Sequence, residues 1–130
     1  FTLGFANVVE IDKFNILEAT KISMRRAVQK LHYDNANLII DGKIDLELPQ
    51  FRSSGIIKGD QKSYSIATAS VIAKMHRDRY MRYLSLQYPL YDWDKNAGYG
   101  TKKHIEQIHK NGITDHHRKS FEPIKSLIHT

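Results

Sequence analysis

The chain has 130 residues, of which 41% are hydrophobic and 26% are charged, so it can build one domain with a modest core. Its net charge of +6 favours a polyanionic partner, and the lack of cysteine excludes disulfide frameworks, thiolate metal sites and cysteine nucleophiles. No apolar run approaches the ~18 residues of a membrane span, so we expect a cytoplasmic protein with a single domain over residues 1–130.

The first third of the chain predicts a strand, a helix and a second strand. Residues 1–9 alternate large apolar with small or polar side chains, which is the period of a strand. A helix follows over residues 15–31, opened by Asn15 as its cap. The continuous apolar run 36–40 ends at Asp41 and indicates a strand buried on both faces, as in a parallel sheet.

The middle of the chain predicts a strand, an acidic turn and a long helix. The strand over 55–57 leads to Asp60, and the helix spans 63–87 with Ser63 satisfying its first N–H groups. The first turns of this helix are built from small residues, which predicts that its backbone docks closely on a neighbouring element. These small residues are Ala67, Thr68, Ala69, Ser70 and Ala73.

The last third predicts a polar, aromatic loop over 91–96, a glycine-hinged turn over 97–101 and a helix over 104–110. Thr101 is placed to cap that helix, and Gly112 lies just past its end. The tail carries two candidate apolar anchors, Phe121 and Ile124.

Two carboxylates end the predicted buried strands. Asp41 and Asp60 would converge on a hard cation such as Mg²⁺ or Mn²⁺ if the two strands are neighbours, because both ions prefer oxygen ligands. The alternative is that each aspartate serves only the hydrogen bonding of a turn. Spacing alone does not separate these interpretations.

Four histidines near the C-terminus match neither an HExxH motif nor a closed zinc pattern. Their simplest interpretation is ordinary surface histidine, and a cationic or hydrogen-bonding role near phosphate is the functional alternative. They are His104, His109, His116 and His117.

Tyr99 lies between two glycines, which allow an unusual turn that would expose the ring for stacking on a sugar or base. The alternative is a tyrosine that packs over its own loop.

Several segments together resemble ribonuclease HII, the bacterial type-2 ribonuclease H. The most specific is GDQKSYSIATASVIAKMHRD over 59–78, which is similar to the signature of that family. The others are NILEATKISMRRAV at 15–28, LIIDGK at 38–43, YPLYDWDKNAGYGTKKHIEQI at 88–108 and GITDHHRKSF at 112–121.

The resemblance implies an α/β, ribonuclease H-like fold, with a mixed sheet flanked by helices and a C-terminal helical segment. It implies a Mn²⁺- or Mg²⁺-dependent endonuclease that cuts the RNA strand of RNA–DNA hybrids and incises 5′ of ribonucleotides embedded in DNA. Asp41 and Asp60 carry over as catalytic, metal-binding carboxylates, and Tyr99 as the tyrosine that stacks at the ribonucleotide. The remaining candidates, as neighbours of the site or of phosphate, are Lys62, Ser63 and Lys74. No protein partner is implied, and we expect the complete enzyme to be a monomer.

One family feature has no counterpart here. The Asp-Glu pair and glycine-arginine turn of the first strand (DEAGRG) are not found in the sequence, so two of the four family carboxylates are missing. We therefore expect an N-terminally truncated sequence that lacks the first strands of the sheet. The alternatives are a fragment that only binds nucleic acid, or a site completed by another chain.

Overall fold

The computed structural model describes residues 1–33 and 35–128 as seven α-helices, one 3₁₀ turn (Pro89–Tyr91) and a pair of strands. The strands are β1 (Asn37–Asp41) and β2 (Arg52–Ile56). The helices are α1 (Val8–Phe14), α2 (Ile16–Gln29), α3 (Gly59–Lys62), α4 (Tyr64–Gln87), α5 (Trp93–Asn96), α6 (Lys102–Asn111) and α7 (Ile124–Ile128). The predicted α/β class is confirmed, and none of the helices described here has the length and apolar character of a membrane span.

The two strands are parallel, with Asn37 opposite Arg52 and Asp41 opposite Ile56. The parallel arrangement agrees with the sequence, but the expectation that β1 is buried on both faces is wrong. Ile40 is buried, whereas the neighbouring Ile39 is 43% exposed. Among the described strands β1 pairs with β2 alone, so its other edge stays open, and the strand also borders a cavity that leaves Ile39 partly uncovered.

The segment that precedes α1 is not the predicted strand. Residues 1–7 have no ladder partner, and Asn7 ends the extended segment by starting α1 in a capping box with Glu10. A strand needs a neighbour for its backbone groups, and here those groups and nearby side chains bond to α2 instead. The bonds run from Thr2 to Ala27, from Arg26 to Phe5 and from Lys30 to Leu3.

A buried hydrophobic cluster lies in the C-terminal half of the chain. It joins α4, α6 and α7 to the segment 91–96, and consists of Leu84, Tyr91, Trp93, Ile108 and Ile124. Residues 91–96 are therefore the end of the 3₁₀ turn followed by the short helix α5, with a buried aromatic pair, and not the predicted polar loop. Ile124 is confirmed as an anchor, while Phe121 is half-buried beneath the guanidinium of Arg118.

The predicted helix caps are confirmed. Side-chain oxygens of Asn15, Ser63 and Thr101 accept from N–H groups in the first turns of α2, α4 and α6. The close docking predicted for the small-residue face of α4 is wrong, because Thr68, Ala69, Ser70 and Ala73 are exposed. That face borders a cavity of about 530 Å³ against β1 and α2, and no described element fills it.

Candidate metal and nucleic-acid site

The two predicted carboxylates lie at the same end of the parallel strand pair. Asp41 is the last residue of β1, and β2 ends at Ile56, directly opposite it. A sharp turn follows β2, in which Lys58 adopts a left-handed conformation with φ of 53°. The chain then enters the one-turn helix α3, which carries Asp60. Neighbouring parallel strands thus deliver both acids to one edge of the sheet.

A short hydrogen bond ties the two acidic segments together. The backbone N–H of Gly59 donates to Oδ1 of Asp41 at 2.7 Å, so the residue next to Asp60 holds the Asp41 carboxylate. A Cβ at this position would lie 2.7 Å from Cδ1 of Ile66 and 3.4 Å from Oδ1 of Asp41, so a larger residue would force Ile66 to shift. The contact fixes one carboxylate oxygen of Asp41 and leaves the other available.

The donor set fits a hard divalent cation. The carboxylate of Asp60 is exposed and has no hydrogen bond or ion pair within 1–33 and 35–128, and Asp41 likewise has no cationic partner there. Negatively charged oxygens without a protein counter-charge are the ligands that Mg²⁺ and Mn²⁺ take. No group of three or more acidic, histidine or cysteine side chains suited to a metal occurs in the described part of the chain.

Two of the other predicted residues lie in the turn beside Asp60. Lys62 ends α3 with its side chain exposed, where it can meet an anion. The hydroxyl of Ser63 accepts from the N–H of Ile66 at 3.4 Å and so caps α4. The structure therefore places both residues at the acidic edge, with Ser63 in a structural role that leaves its hydroxyl at the surface of that turn.

Lys74 lies elsewhere. It is exposed on α4 about three turns beyond Ser63, which is roughly 16 Å along the helix axis. The structure does not bring Lys74 to the two acids.

Tyr99 lies beside the other end of α4. Its ring is 62% exposed in the turn between α5 and α6, where Ala97 and Gly98 have φ of 48° and 81°. The predicted glycine-hinged turn and exposed ring are confirmed. Tyr99 lines a cavity of about 800 Å³ that also borders Arg77 and Met81 of α4.

Tyr99 makes no described contact with either acid, because Asp41 lines the smaller cavity beside the first turns of α4. The two cavities nevertheless follow one face of this helix. The residues on this face are three or four positions apart in the chain, so they lie on one side of the helix. They are Ile66, Ala69, Ala73, Arg77, Tyr80 and Leu84.

Two histidines that looked like surface residues are buried. His104 and His117 are each 4% exposed, and their Nε2 atoms are 3.4 Å apart beside Trp93. Burial lowers the pKa of His117 to about 4, and the nearby His104 adds to the effect. A sequence signal existed for one of them, since His104 precedes the buried Ile108 by one turn on the apolar face of α6.

Comparison with known proteins identifies relatives over nearly the whole chain. A family model described as Ribonuclease HII matches residues 1–124. The ribonuclease HII of Macrococcus caseolyticus is 54% identical over 130 residues, covering 100% of this chain and 48% of that protein. Those of Staphylococcus saprophyticus and Staphylococcus epidermidis are 50% and 51% identical over 129 residues, covering 98% of this chain and 49% of each relative. The chain thus spans about half the length of the curated relatives it matches.

Proposed function

Because this chain belongs to the ribonuclease HII family, we propose that it carries part of the active site of a metal-dependent endonuclease acting on RNA joined to or paired with DNA. The proposed reactions are cleavage of the RNA strand of RNA–DNA hybrids and incision 5′ of ribonucleotides embedded in DNA, leaving 3′-hydroxyl and 5′-phosphate ends. The observation that carries the proposal is the Gly59–Asp41 hydrogen bond, which joins the Asp41 carboxylate to the turn that carries Asp60. The proposal includes a monomeric enzyme acting in the cytoplasm, where bacterial DNA resides.

Mg²⁺ or Mn²⁺ is the proposed cofactor, held by Asp41 and Asp60. A divalent ion bound there would activate water and stabilise the departing 3′-oxygen. Its binding needs carboxylates that are pre-oriented and not already neutralised by a cation. Asp41 meets the first condition through the N–H of Gly59, and both aspartates meet the second.

The other candidate residues are assigned to the nucleic acid. Lys62, exposed beside the acids, would pair with a backbone phosphate near the cut, and the exposed Lys74 with one farther along the strand. Ser63 serves chiefly to start α4, with its hydroxyl adjacent to the same phosphate. Tyr99 presents an open ring on which a ribonucleotide would stack, and stacking together with the 2′-hydroxyl distinguishes RNA from DNA.

A second candidate function is nucleic-acid binding without cleavage. It is favoured by one observation, that the acids of the described residues come together as a pair and not as a larger cluster. Two carboxylates supply little charge for holding a hydrated Mg²⁺, whereas the net charge of +6 would still attract phosphates.

A chimera separates these candidates. This chain would replace the matching half of the Macrococcus caseolyticus ribonuclease HII, and incision would be measured on a duplex containing one ribonucleotide, with Mn²⁺ or Mg²⁺. We expect Asp41→Asn and Asp60→Asn each to lower the incision rate by more than about 100-fold, since even partners that only orient metal ligands cost about 10–100-fold.

The matched control is Asp45→Asn, the same change in the exposed loop after β1, which keeps an oxygen to accept the N–H of Glu47. This control should incise at close to the parent rate. Parent-like rates for both site variants would overturn the assignment of the acids. A parent chimera that binds the duplex but does not incise it would favour the second candidate.

A further inference from the structure

The backbone of Tyr99 is held by three hydrogen bonds. Its N–H donates to the carbonyl of Asn96 at 2.8 Å, and its own carbonyl accepts from the N–H of Thr101 at 2.8 Å. The third partner is a side chain, because Nδ1 of His104 lies 2.9 Å from the same carbonyl oxygen. Since the ring of Tyr99 is largely exposed, these backbone bonds fix the point in the fold from which the ring projects.

The partners of His104 determine its tautomer. A carbonyl oxygen only accepts hydrogen bonds, so Nδ1 of His104 must carry the proton that faces Tyr99. Nε2 of the same ring is then an acceptor, and the indole N–H of Trp93 donates to it at 3.2 Å. The imidazole is neutral in this arrangement, with both nitrogens used.

His117 has the opposite tautomer. The backbone N–H of Thr114 donates to its Nδ1 at 3.0 Å, so the ring proton is on Nε2. That Nε2 is the atom 3.4 Å from Nε2 of His104, where it donates to the same acceptor that Trp93 uses. Thr114 therefore donates to His117, His117 donates to His104, and His104 donates to the carbonyl of Tyr99.

Burial allows this series of hydrogen bonds only one arrangement of donors and acceptors. Trp93 is 2% exposed and both histidines are 4% exposed, so water cannot replace a lost partner. Moving the proton of His104 to Nε2 would leave Nδ1 without a proton for the Tyr99 carbonyl, and it would set the N–H groups of Trp93 and His117 against a third N–H. Turning the ring over would put carbon atoms where the two nitrogens now meet these partners. The cluster thus permits one arrangement, in which His104 donates to the Tyr99 carbonyl.

We propose that His104 is a positioning residue for Tyr99: Trp93 and His117 hold its imidazole in the Nδ1–H tautomer, and that proton fixes the backbone from which the tyrosine ring meets the ribonucleotide. The proposal rests on the function proposed above for the recognition step. The hydrogen bond itself does not depend on that function and is tested separately.

The first test is ¹H–¹⁵N NMR of the imidazole rings in the 130-residue chain at pH 7. We expect His104 as the Nδ1–H tautomer and His117 as the Nε2–H tautomer, with the His104 ring proton protected from exchange. An Nε2–H tautomer at His104, or rapid averaging of its two nitrogens, would overturn the proposal whatever the enzyme does.

The second test compares two amides at position 104 in the chimera. Asparagine places an N–H near the position of Nδ1 and can still donate to Tyr99, but it leaves Trp93 and His117 without their acceptor. Glutamine places an oxygen near the position of Nε2 and satisfies Trp93 and His117, but it has no donor for Tyr99. A purely structural role predicts that His104→Asn is the more harmful change.

We expect the reverse order for recognition. His104→Gln should lower kcat/KM at a single ribonucleotide by about fivefold to tenfold, the value of one hydrogen bond, while His104→Asn stays within about twofold. The effect of His104→Gln should vanish in a Tyr99→Ala background, because the histidine acts through the tyrosine. His109→Asn, on the exposed side of the same helix, should match the parent.

Additive losses from His104→Gln and Tyr99→Ala, or a larger loss for His104→Asn, would overturn the positioning role. If Tyr99→Ala itself leaves incision unchanged, the recognition role in the proposed function fails, and the NMR result alone decides whether His104 holds this backbone.

Discussion

Tyr99 is the residue whose surroundings most directly suggest substrate selection, because its backbone is held while its ring is open to solvent. In the chimera, Tyr99→Ala should weaken incision at a single embedded ribonucleotide more than it weakens salt-dependent binding to duplex. Stacking acts at one sugar, whereas the many cations act on phosphates at every position. Incision assays and binding titrations on the same duplex measure the two effects.

The control for this change is Tyr83→Ala, which removes another exposed tyrosine, on α4, that lines neither cavity. It should leave both measurements near the parent values. Equal losses of incision and of binding for Tyr99→Ala would contradict a recognition role.

We expect His117 to make folding sensitive to mildly acidic pH. Its pKa is lowered from 6.5 to about 4, mainly because burial disfavours the charged ring. The unfolded chain therefore binds a proton that the folded chain refuses between pH 6.5 and about 4, and stability falls as the pH falls through this window. Above pH 6.5 the effect is absent, and below about 4 it reaches its limit of about 3 kcal/mol.

Urea unfolding at pH 7 and pH 4.5 tests this expectation. His117→Asn keeps an acceptor for the N–H of Thr114 but cannot titrate, so it should lose less stability between the two pH values than the parent. His109→Asn should behave like the parent. Glu10, whose pKa falls from 4.5 to about 2 on folding, adds a smaller loss of stability near pH 4.5, but it does so equally in the parent and in His117→Asn, so the difference between the two reports on His117. Equal pH dependence in the parent and in His117→Asn would exclude His117 as the source.

Among the elements, the junction of β2, α3 and α4 is the one on which the acidic edge depends. Gly59→Ala would set a methyl group 2.7 Å from Cδ1 of the buried Ile66 and against the Asp41 carboxylate. We expect a loss of unfolding free energy of about 1–3 kcal/mol, as for other overpacked sites. Urea unfolding measures this loss, and metal-dependent incision by the chimera should fall with it.

Two further variants check the cause. Ile66→Val removes the Cδ1 atom that the new methyl group would meet. Ile66→Val should therefore lower the unfolding free energy less in the Gly59→Ala background than it does on its own. Gly100→Ala should be nearly neutral for stability, because its nearest contact is Cδ1 of Ile105 at 3.8 Å. Strict additivity of the first pair would show that steric contact with Ile66 is not the reason.

Helix caps were predictable from the sequence, whereas the N-terminal segment and the aromatic pair were not. The caps at Asn15, Ser63 and Thr101 were predictable because each bond joins residues three apart in the chain. The period-2 pattern of residues 1–9 predicted the wrong structure, because a strand is defined by a neighbour, which that pattern cannot supply. The aromatic pair Tyr91 and Trp93 was wrongly assigned to a loop, since its packing partners come from α4, α6 and α7.

At the scale of the whole molecule, the net charge predicts that nucleic acid binds, whereas the small number of metal-binding carboxylates predicts that it is not cleaved. The 130-residue polypeptide with its net charge of +6 should bind RNA–DNA hybrid weakly, with affinity that falls as salt rises. It should show no detectable Mg²⁺- or Mn²⁺-dependent cleavage, because one pair of carboxylates leaves most of the coordination to water. Fluorescence anisotropy at several salt concentrations and a gel-based cleavage assay measure the two properties.

Adding a DEAGRG-containing segment from a relative, on the same chain or on a separate one, should restore cleavage if two carboxylates are what limit it. The Asp41→Asn version of the same mixture is the control and should stay inactive. Robust incision by the purified 130-residue polypeptide alone would contradict this prediction.

The sequence by itself determined the family, the α/β ribonuclease H-like class, the main helices with their caps, and the two acids that end up at one sheet edge. These features depend on motifs and on contacts between residues close in the chain, so short stretches of sequence are enough to predict them. Only the tertiary structure decided that the N-terminal segment packs on α2 and that β1 keeps an open edge. It also decided that His104 and His117 form a buried pair behind Tyr99. The burial and the tautomer of a histidine depend on partners that folding brings together from separate elements. The sequence alone does not show whether water or a tryptophan surrounds the ring.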